Sequence, residues 1–487
     1  MKLKHVSFAC CILLLMPIFS EETEEALGKK YNIEIRVQPE FVGPDNKQPL
    51  FSFDRIPDSS LIRKVIAKTW FFAAPQDVLS LSEKTYTDIN GNTFTVKAQA
   101  LPEKKQIAVM VIPEINEYSA TGKNMLPQGT WILYRNDASG EPVQIKILPR
   151  ENPNLYILLH PAKAVEQKGK SFIDICLYNA YVRKDMPLGV SFNDLLYFSL
   201  INIRSISKDV LPWELFNPPG SYSAIESMTK IIKQKSYGLV PLPNGCFDES
   251  GRPVHISDGT PQKDVEIIRN LRIDQIPKEV IGGVDTLGFA KWVIDGIIYP
   301  VAGQGIYVSS LKKATSIPDT HFNKADQKDR KAFLSIDWIR NLASAAFSLD
   351  VKRTVYPDKS GVDVKIEPFA LTFSVPMNDK SSPPFVGYLK DTGYQIEYLH
   401  ALLYYLAATE PGHFYLGVIN EEKTAPKMRH YKQVLVFFPY FDTYGHFRIE
   451  TFQQISEFRI EDIIKDNQKD YISLVRVRAP EIGLFNP

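Results

Sequence analysis

The sequence predicts an α+β protein whose first half consists of one or more β-sandwich modules. Short apolar segments alternate with turn residues through residues 28 to 208, a pattern that is typical of antiparallel sheets. Residues 223 to 487 instead predict helices first and an antiparallel sheet afterwards. That order of elements is typical of an α+β domain.

The first half contains a regular series of strand signals. Asn90-Gly91 is the clearest hairpin signal, because this pair favours the tight turn between two antiparallel strands. The series fits one large sandwich or two small ones, and we divide it into residues 28–128 and 129–208. The predicted strands are 85–87, 93–96, 106–112, 131–134, 143–148, 155–159 and 172–182.

The first residues predict an export signal. Lys2 and Lys4 are followed by an apolar run from Val6 to Ile18, which is too short to span a bilayer comfortably. We expect removal near Ser20, hence residues 1–20 as a signal peptide and a periplasmic or cell-surface protein. In the alternative, the segment stays uncleaved and is the protein's contact with the membrane. The formal net charge of +1 gives no reason to expect a nucleic-acid partner.

The second half begins after a segment rich in proline. Residues 209–222 contain three prolines and a glycine and predict a linker. Ser223 to Glu226 then reads as a capping box at the start of a helix. Further helices are predicted at 333–347 and 394–408, and strands at 413–419, 433–438 and 446–452.

Residues 282–300 carry the strongest chemical signal. Gly282-Gly283 predicts a turn, Asp285 can cap the helix that follows, and Pro300 is expected to close it. A helix that starts on such a turn can present a reactive side chain at its positive end. The residue at that position is Thr286, which is a poor nucleophile.

The stretch from Asp285 to Val293 resembles the nucleophile motif of NlpC-type peptidoglycan peptidases, which runs Asp-Cys-Ser-Gly-Phe-Val. Glu410 to Leu416 is similar to the family's Pro-Gly-Asp-Leu strand. Gln433 to Phe438 resembles the strand that normally begins with the catalytic His, and residues 446–452 would carry the third, orienting residue. The resemblance implies a papain-like domain over residues 223–487.

The departures from this family motif fall on its reactive positions. Thr286 replaces the cysteine, and a threonine hydroxyl needs a strong, close base. Gln433 replaces the histidine, and an amide cannot accept a proton at neutral pH. The third position falls near Arg448 or Glu450. The usual catalytic set is therefore degenerate, and the resemblance implies a frame without this family's chemistry.

Two alternatives stay open within the same frame. In a shifted register His413 would be the base and His430 the orienting residue, with Thr286 still the nucleophile. Cys246 offers a thiol from a loop, although a small buried side chain, or one paired with Cys176, is the simpler interpretation.

No cofactor and no metal site is expected from the sequence. His321 with Asp326 and Asp329 lacks the spacing of a ligand set, and so does His413 with His430.

The sequence thus favours an exported cell-envelope protein with a catalytically inactive NlpC-type domain. Such a domain would act by binding peptidoglycan peptides or an envelope protein. The first alternative is an active cell-wall hydrolase, an endopeptidase or amidase, with an atypical catalytic set. The second is a non-enzymatic, β-rich structural protein of the envelope.

Overall fold

A computed structural model of the chain contains two large, mainly antiparallel sheets with helices around them. The predicted signal peptide, residues 1–20, lies outside the described residues. The structure describes residues 53, 56–114, 126–150, 152–162, 169–178, 180–217, 223–263, 280–315, 330–369, 371–372, 388–389, 392–424, 427–442 and 445–487.

The first half forms a nine-stranded sheet in which strands β1 to β8 are neighbours in chain order. Each of these strands is antiparallel to the next, and the short β13 adds to β8 in parallel. The strands are β1 Lys84–Thr87, β2 Thr93–Leu101, β3 Gln106–Pro113, β4 Trp131–Asn136, β5 Pro142–Ile147, β6 Leu155–Pro161, β7 Ser171–Leu177, β8 Ala180–Pro187 and β13 Leu371–Thr372.

This sheet is continuous across the division that the sequence suggested near residue 128. The Asn90-Gly91 hairpin is confirmed, because β1 and β2 pair around it. β3 and β4 pair from Gln106 to Asn136, so the strands predicted for two modules are neighbours in one sheet. The described residues all lie in one compact unit, Pro39–Pro487.

The long strand predicted over residues 172–182 is wrong. The chain instead forms two strands, β7 and β8, which pair as a hairpin. Tyr178 has a left-handed backbone with φ of 45° and begins the reversal. A non-glycine residue in this conformation is uncommon, so the apolar pattern of the sequence did not reveal the turn.

The predicted linker is partly packed into the protein. Within residues 209–222, Trp213–Phe216 form a 3-10 turn, and Trp213, Leu215 and Phe216 are buried. The hydroxyl of Tyr404 donates to the carbonyl of Leu215 at 2.7 Å. The described part of this segment therefore contributes to a core.

The second half contains a six-stranded sheet in the order β14-β19-β15-β16-β17-β18. Its three predicted strands are confirmed as β15, β16 and β17. The sequence missed β19, which lies between β14 and β15. The strands are β14 Tyr394–Gln395, β15 His413–Thr424, β16 Lys427–Phe441, β17 Phe447–Gln453, β18 Ser456–Phe458 and β19 Tyr471–Arg478.

Two further pairs of short strands precede this sheet. β9 and β12 pair in parallel, while β10 and β11 form an antiparallel hairpin. The strands are β9 Leu239–Pro241, β10 Gly245–Phe247, β11 Pro253–His255 and β12 Gly282–Val284.

The α-helices are numbered here in chain order over the described residues. Helix α1 continues into a π-helical turn, Ala67–Phe71. The helices are α1 Ser60–Ile66, α2 Pro75–Ser80, α3 Phe192–Leu195, α4 Leu200–Ser207, α5 Ser223–Lys235, α6 Thr286–Ala302, α7 Val308–Leu311, α8 Leu334–Asp350, α9 Pro357–Ser360, α10 Leu399–Thr409 and α11 Ile460–Asp466.

Helices cover both faces of the six-stranded sheet. One face packs against α5, α6 and α8 through a buried cluster that includes Phe289, Trp338 and Val436. On the other face Tyr404 of α10 contacts Phe441, with ring centroids 5.5 Å apart. The protein is therefore an α+β protein. No helix among the described residues has the length and apolar character needed to cross a bilayer.

Candidate functional site

The N-terminus of α6 is the site that the sequence singled out. Asp285 caps the helix as predicted, since its Oδ1 accepts the backbone N–H of Gly288 at 2.8 Å. Thr286 is the first helical residue and is half-buried. The frame expected for a reactive side chain is present, and the side chain in it is a secondary alcohol.

The segment leading into α6 is a strand, and the predicted turn at Gly282-Gly283 is wrong. β12 pairs with β9, and a Cβ on Gly282 would approach the Phe247 ring to 2.5 Å. The buried Gln262 holds this strand, donating to the carbonyl of Gly283 and accepting from its N–H, both at 2.8 Å. These glycines permit close packing of neighbouring chain segments, because they carry no side chain.

The β10–β11 hairpin covers the start of α6. The Asp285 N–H donates to the Gly245 carbonyl at 3.0 Å. Cys246 next to it is fully buried, and desolvation raises the pKa of its thiol to about 12. Because a thiol must ionise to attack, Cys246 is an inert packing residue. Cys176 and Cys246 do not form a disulfide with each other.

The far end of α6 also differs from the prediction. Pro300 lies inside the helix, which ends at Ala302 with Gly303 in a left-handed conformation. Pro300 has no N–H to donate to the Gly296 carbonyl four residues earlier. The N–H of Asn486 donates to that carbonyl at 2.9 Å instead. The chain near residue 486 thus completes the hydrogen bonding of the helix.

The predicted partners of Thr286 lie on the other face of the sheet. Val434 and Phe414 belong to the cluster that packs against α6. Since side chains alternate along a strand, their neighbours Gln433 and His413 point to the opposite face. His430 pairs with Glu421 and also points away from α6, because the adjacent Tyr431 packs on the helix-side cluster. The structure does not bring these three residues to Thr286.

The side chains of Gln433, His413 and Arg448 make contacts with other residues. Gln433 accepts a hydrogen bond from Gln453 at 2.8 Å, and the Nδ1 of His413 lies 3.2 Å from the Glu410 carbonyl. The Arg448 guanidinium pairs with Asp442.

Glu450 faces the helices, but its carboxylate forms an ion pair with α5. It lies opposite Phe438 of the neighbouring strand β16, and its carboxylate is 2.8 Å from the Lys233 ammonium. Gln454, whose amide donates to the carbonyl of Val284, marks where β17 approaches the start of α6. Glu450 lies four residues before it, about 13 Å along a strand. Its position makes it an ion-pair partner of α5.

The buried Asp285 cap should make the stability of the protein depend on pH. Burial raises the pKa of Asp285 to about 6 although backbone N–H groups favour its charged form. When a carboxyl has a higher pKa in the folded state than in the unfolded state, the free energy of unfolding decreases as the pH rises between the two pKa values, here from about 4 to about 6. Asparagine caps helices equally well and carries no charge. We expect the free energy of unfolding of Asp285→Asn, relative to wild type, to increase between pH 4 and pH 7, as measured by urea denaturation.

Asp248→Asn is the control for this prediction. Although burial acts in the opposite direction, hydrogen bonds from Arg252 lower the pKa of Asp248 below its ordinary value of 3.8. Its contribution is therefore present above that value and is lost only as the pH falls further. Arg252 keeps its charge over this range, so the difference between Asp248→Asn and wild type should stay constant from about pH 5 to pH 7. A constant difference for Asp285→Asn would contradict the assigned pKa.

A second cluster of polar side chains, which was not predicted from the sequence, lies in the nine-stranded sheet. His160 of β6, Asp174 of β7 and Asp185 of β8 place one ligand-type atom each within 4.8 Å of one another. The signal available in the sequence was a single charged residue, Asp174, within an otherwise apolar strand. Its partners are distant in sequence and come together only through the register of the sheet.

Comparison with known proteins concerns this first half. Residues 52–215 match the model of a family described as a domain of unknown function (DUF8515). No curated protein and no solved structure matches the chain. The matched segment contains His160, Asp174 and Asp185, whereas α6 and the six-stranded sheet lie outside it.

Proposed function

We propose that the second half of the chain is a non-catalytic binding domain of an exported envelope protein. Its order of a capped helix followed by an antiparallel sheet resembles the NlpC-type layout. This likeness rests on element order and on the Asp285 cap. The strand position of Gln433 does not contribute to it, because that side chain points to the other face.

The observation that carries the proposal is the separation of Thr286 from every predicted base. Gln433, His413 and His430 lie on the sheet face opposite to α6. A general base must come within hydrogen-bond reach of the proton that it removes. A threonine without such a neighbour is not activated. The Cys246 thiol offers no replacement, because it is buried and resists ionisation.

Peptidoglycan peptides are the ligand that we propose for this domain, since the family resemblance implies them. An envelope protein is the alternative partner. The export signal proposed for residues 1–20 would bring the protein to the periplasm or cell surface, where either ligand is available.

The experiment uses the protein from residue 21 onward in two assays. Co-sedimentation with purified sacculi measures binding, and mass spectrometry after incubation with muropeptides measures cleavage. We expect binding without cleavage, and the same result for Thr286→Ala. Cleavage by the wild type that disappears in Thr286→Ala would establish the rival hydrolase. Absence of co-sedimentation would reject peptidoglycan as the ligand.

A double variant tests the geometry on its own. Thr286→Cys with Gln433→His restores the residue types of the family motif. We expect this variant to remain inactive on muropeptides, because a histidine at position 433 would point away from α6. Appearance of cleavage would show that position 433 reaches the helix start, and would contradict the assigned faces of β16. The single variant Thr286→Cys is the control.

A further inference from the structure

The cluster in the nine-stranded sheet has the arrangement of a metal site. The Nε2 of His160 lies 3.4 Å from Oδ1 of Asp174 and 3.3 Å from Oδ1 of Asp185. The side chains are 9%, 5% and 13% exposed in the order His160, Asp174, Asp185. The three groups are thus largely shielded from water but can be reached from the surface.

Local distortion of the sheet creates this meeting point. His160 pairs with Phe172, and Asp174 lies two residues further on the same face. In the β7–β8 pair, Ile173 pairs with Met186 and Ile175 pairs with Arg183. Between these two pairs, β8 has two residues where β7 has only Asp174. The extra residue in β8 forms a β-bulge.

Asp185 is the bulged residue with the unusual backbone. Its φ is 52°, a left-handed conformation that few non-glycine residues adopt. Its N–H donates to Oδ1 of Asp174 at 2.6 Å. Bulges are frequent beside functional sites because they redirect a side chain. Here the bulge turns the Asp185 carboxylate toward His160.

The distances are long for a charge-assisted hydrogen bond and are compatible with a metal site. A hydrogen bond between imidazolium and carboxylate usually spans about 2.7 to 2.9 Å. Ligands at the corners of a tetrahedral zinc site stand about 3.3 to 3.5 Å apart, since each is about 2.0 to 2.2 Å from the metal. The observed 3.3 and 3.4 Å, both measured from Nε2 of His160, lie in the second range, and the 3.4 Å contact with Asp174 is also within reach of a hydrogen bond.

The second contact of His160 also fits a ligand. Its Nδ1 lies 3.0 Å from the carbonyl of Pro161, so Nδ1 carries a proton and donates there. In a neutral ring this leaves the Nε2 lone pair directed at the two carboxylates. Ligand histidines typically hold their other ring nitrogen in this way. The ring also stacks on Phe172, with centroids 5.8 Å apart, which restricts its rotation.

We propose that His160, Asp174 and Asp185 bind a divalent transition-metal cation of the zinc class in tetrahedral geometry. Three protein ligands leave the fourth coordination position for water or an exogenous ligand. Zinc sites that are open to ligands have this set of three protein ligands and one exchangeable position. The site lies in the segment that matches the domain of unknown function, and it is independent of the binding function proposed for the second half.

The test measures zinc binding by the whole protein without an affinity tag. After treatment with a chelator, the protein is titrated with ZnCl2 by calorimetry and with CoCl2 by visible absorption. We expect one equivalent of zinc, intense d–d bands of tetrahedral cobalt, and a melting temperature that rises with zinc. Asp185→Asn and His160→Asn should each weaken zinc affinity by at least about 100-fold, the upper range for loss of a supporting contact.

A second His–Asp pair supplies the control. The Nδ1 of His446 lies 3.4 Å from Oδ2 of Asp442, and both side chains are partly exposed. His446→Asn should leave stoichiometry, affinity and cobalt spectrum unchanged. Circular dichroism in chelator establishes that each variant is folded, and Asp185→Asn serves if His160→Asn does not fold. Wild-type protein that binds no zinc, or variants that bind it as tightly as wild type, would overturn the proposal and leave a metal-free ion network.

Discussion

Replacing Gly288 by alanine is expected to lower the free energy of unfolding by at least about 3 kcal/mol, the upper range for overpacking. A Cβ at this position would stand 2.0 Å from the carbonyl oxygen of Gly245 and 3.0 Å from the Cα of Cys246. The obstructing atoms belong to the backbone of the β10–β11 hairpin, so rotation of a side chain cannot relieve the contact. Urea denaturation followed by circular dichroism measures the effect.

Gly296→Ala is the matched control in the same helix. Its Cβ would approach Phe485 and Pro487 to between 2.7 and 2.8 Å. These contacts are longer than the 2.0 Å approach at Gly288, while alanine gains about 1 kcal/mol of helix propensity over glycine. We expect Gly296→Ala to cost less than Gly288→Ala. If both variants lose the same free energy of unfolding, or if Gly288→Ala loses none, the β10–β11 hairpin does not pack closely against α6 at Gly288.

Replacing Lys291 by methionine is expected to cost about 3 to 5 kcal/mol, as for other buried ion pairs that lose one partner. The Lys291 ammonium is fully buried and pairs with the carboxylate of Asp295 one turn later on α6. Oδ1 of Asp295 also accepts the N–H of Ile306 at 2.9 Å. Removal of the lysine leaves a carboxylate that burial already disfavours, since burial raises the pKa of Asp295.

Lys230→Met tests the same change at the surface. Lys230 and Glu226 form an ion pair with the same spacing on α5, but the Lys230 side chain is 71% exposed. Exposed pairs of this kind contribute about 0.5 kcal/mol or less. Adding Asp295→Asn to Lys291→Met should recover part of the loss, because the unpaired charge is removed and an acceptor remains for Ile306. If Lys291→Met costs no more than Lys230→Met, the buried pair has no special role.

Local patterns were sufficient for much of the fold. The Asn90-Gly91 hairpin, the Asp285 cap and the three strands β15, β16 and β17 followed from neighbouring residues alone. Each depends on short-range chemistry: a turn that needs a left-handed residue, a carboxylate that accepts a helix N–H, and alternating apolar side chains.

The errors have other causes. Gly282-Gly283 was predicted as a turn, but these residues form a strand that pairs with β9, and Phe247 and Leu242 pack where side chains would stand. β19 was missed although it pairs along most of β15. In these two cases the deciding contact comes from a distant part of the chain. Residues 172–182 hid a hairpin because a non-glycine residue, Tyr178, adopts the left-handed conformation that begins its turn.

The candidate sites show the same division. The sequence by itself determined the α+β order, the capped start of α6 and the absence of a cysteine and a histidine from the matching positions Thr286 and Gln433. Only the tertiary structure decided that Gln433 points away from α6, and that His160, Asp174 and Asp185 meet. Strand register and bulges set which side chains share a face, and pairing between distant segments determines both.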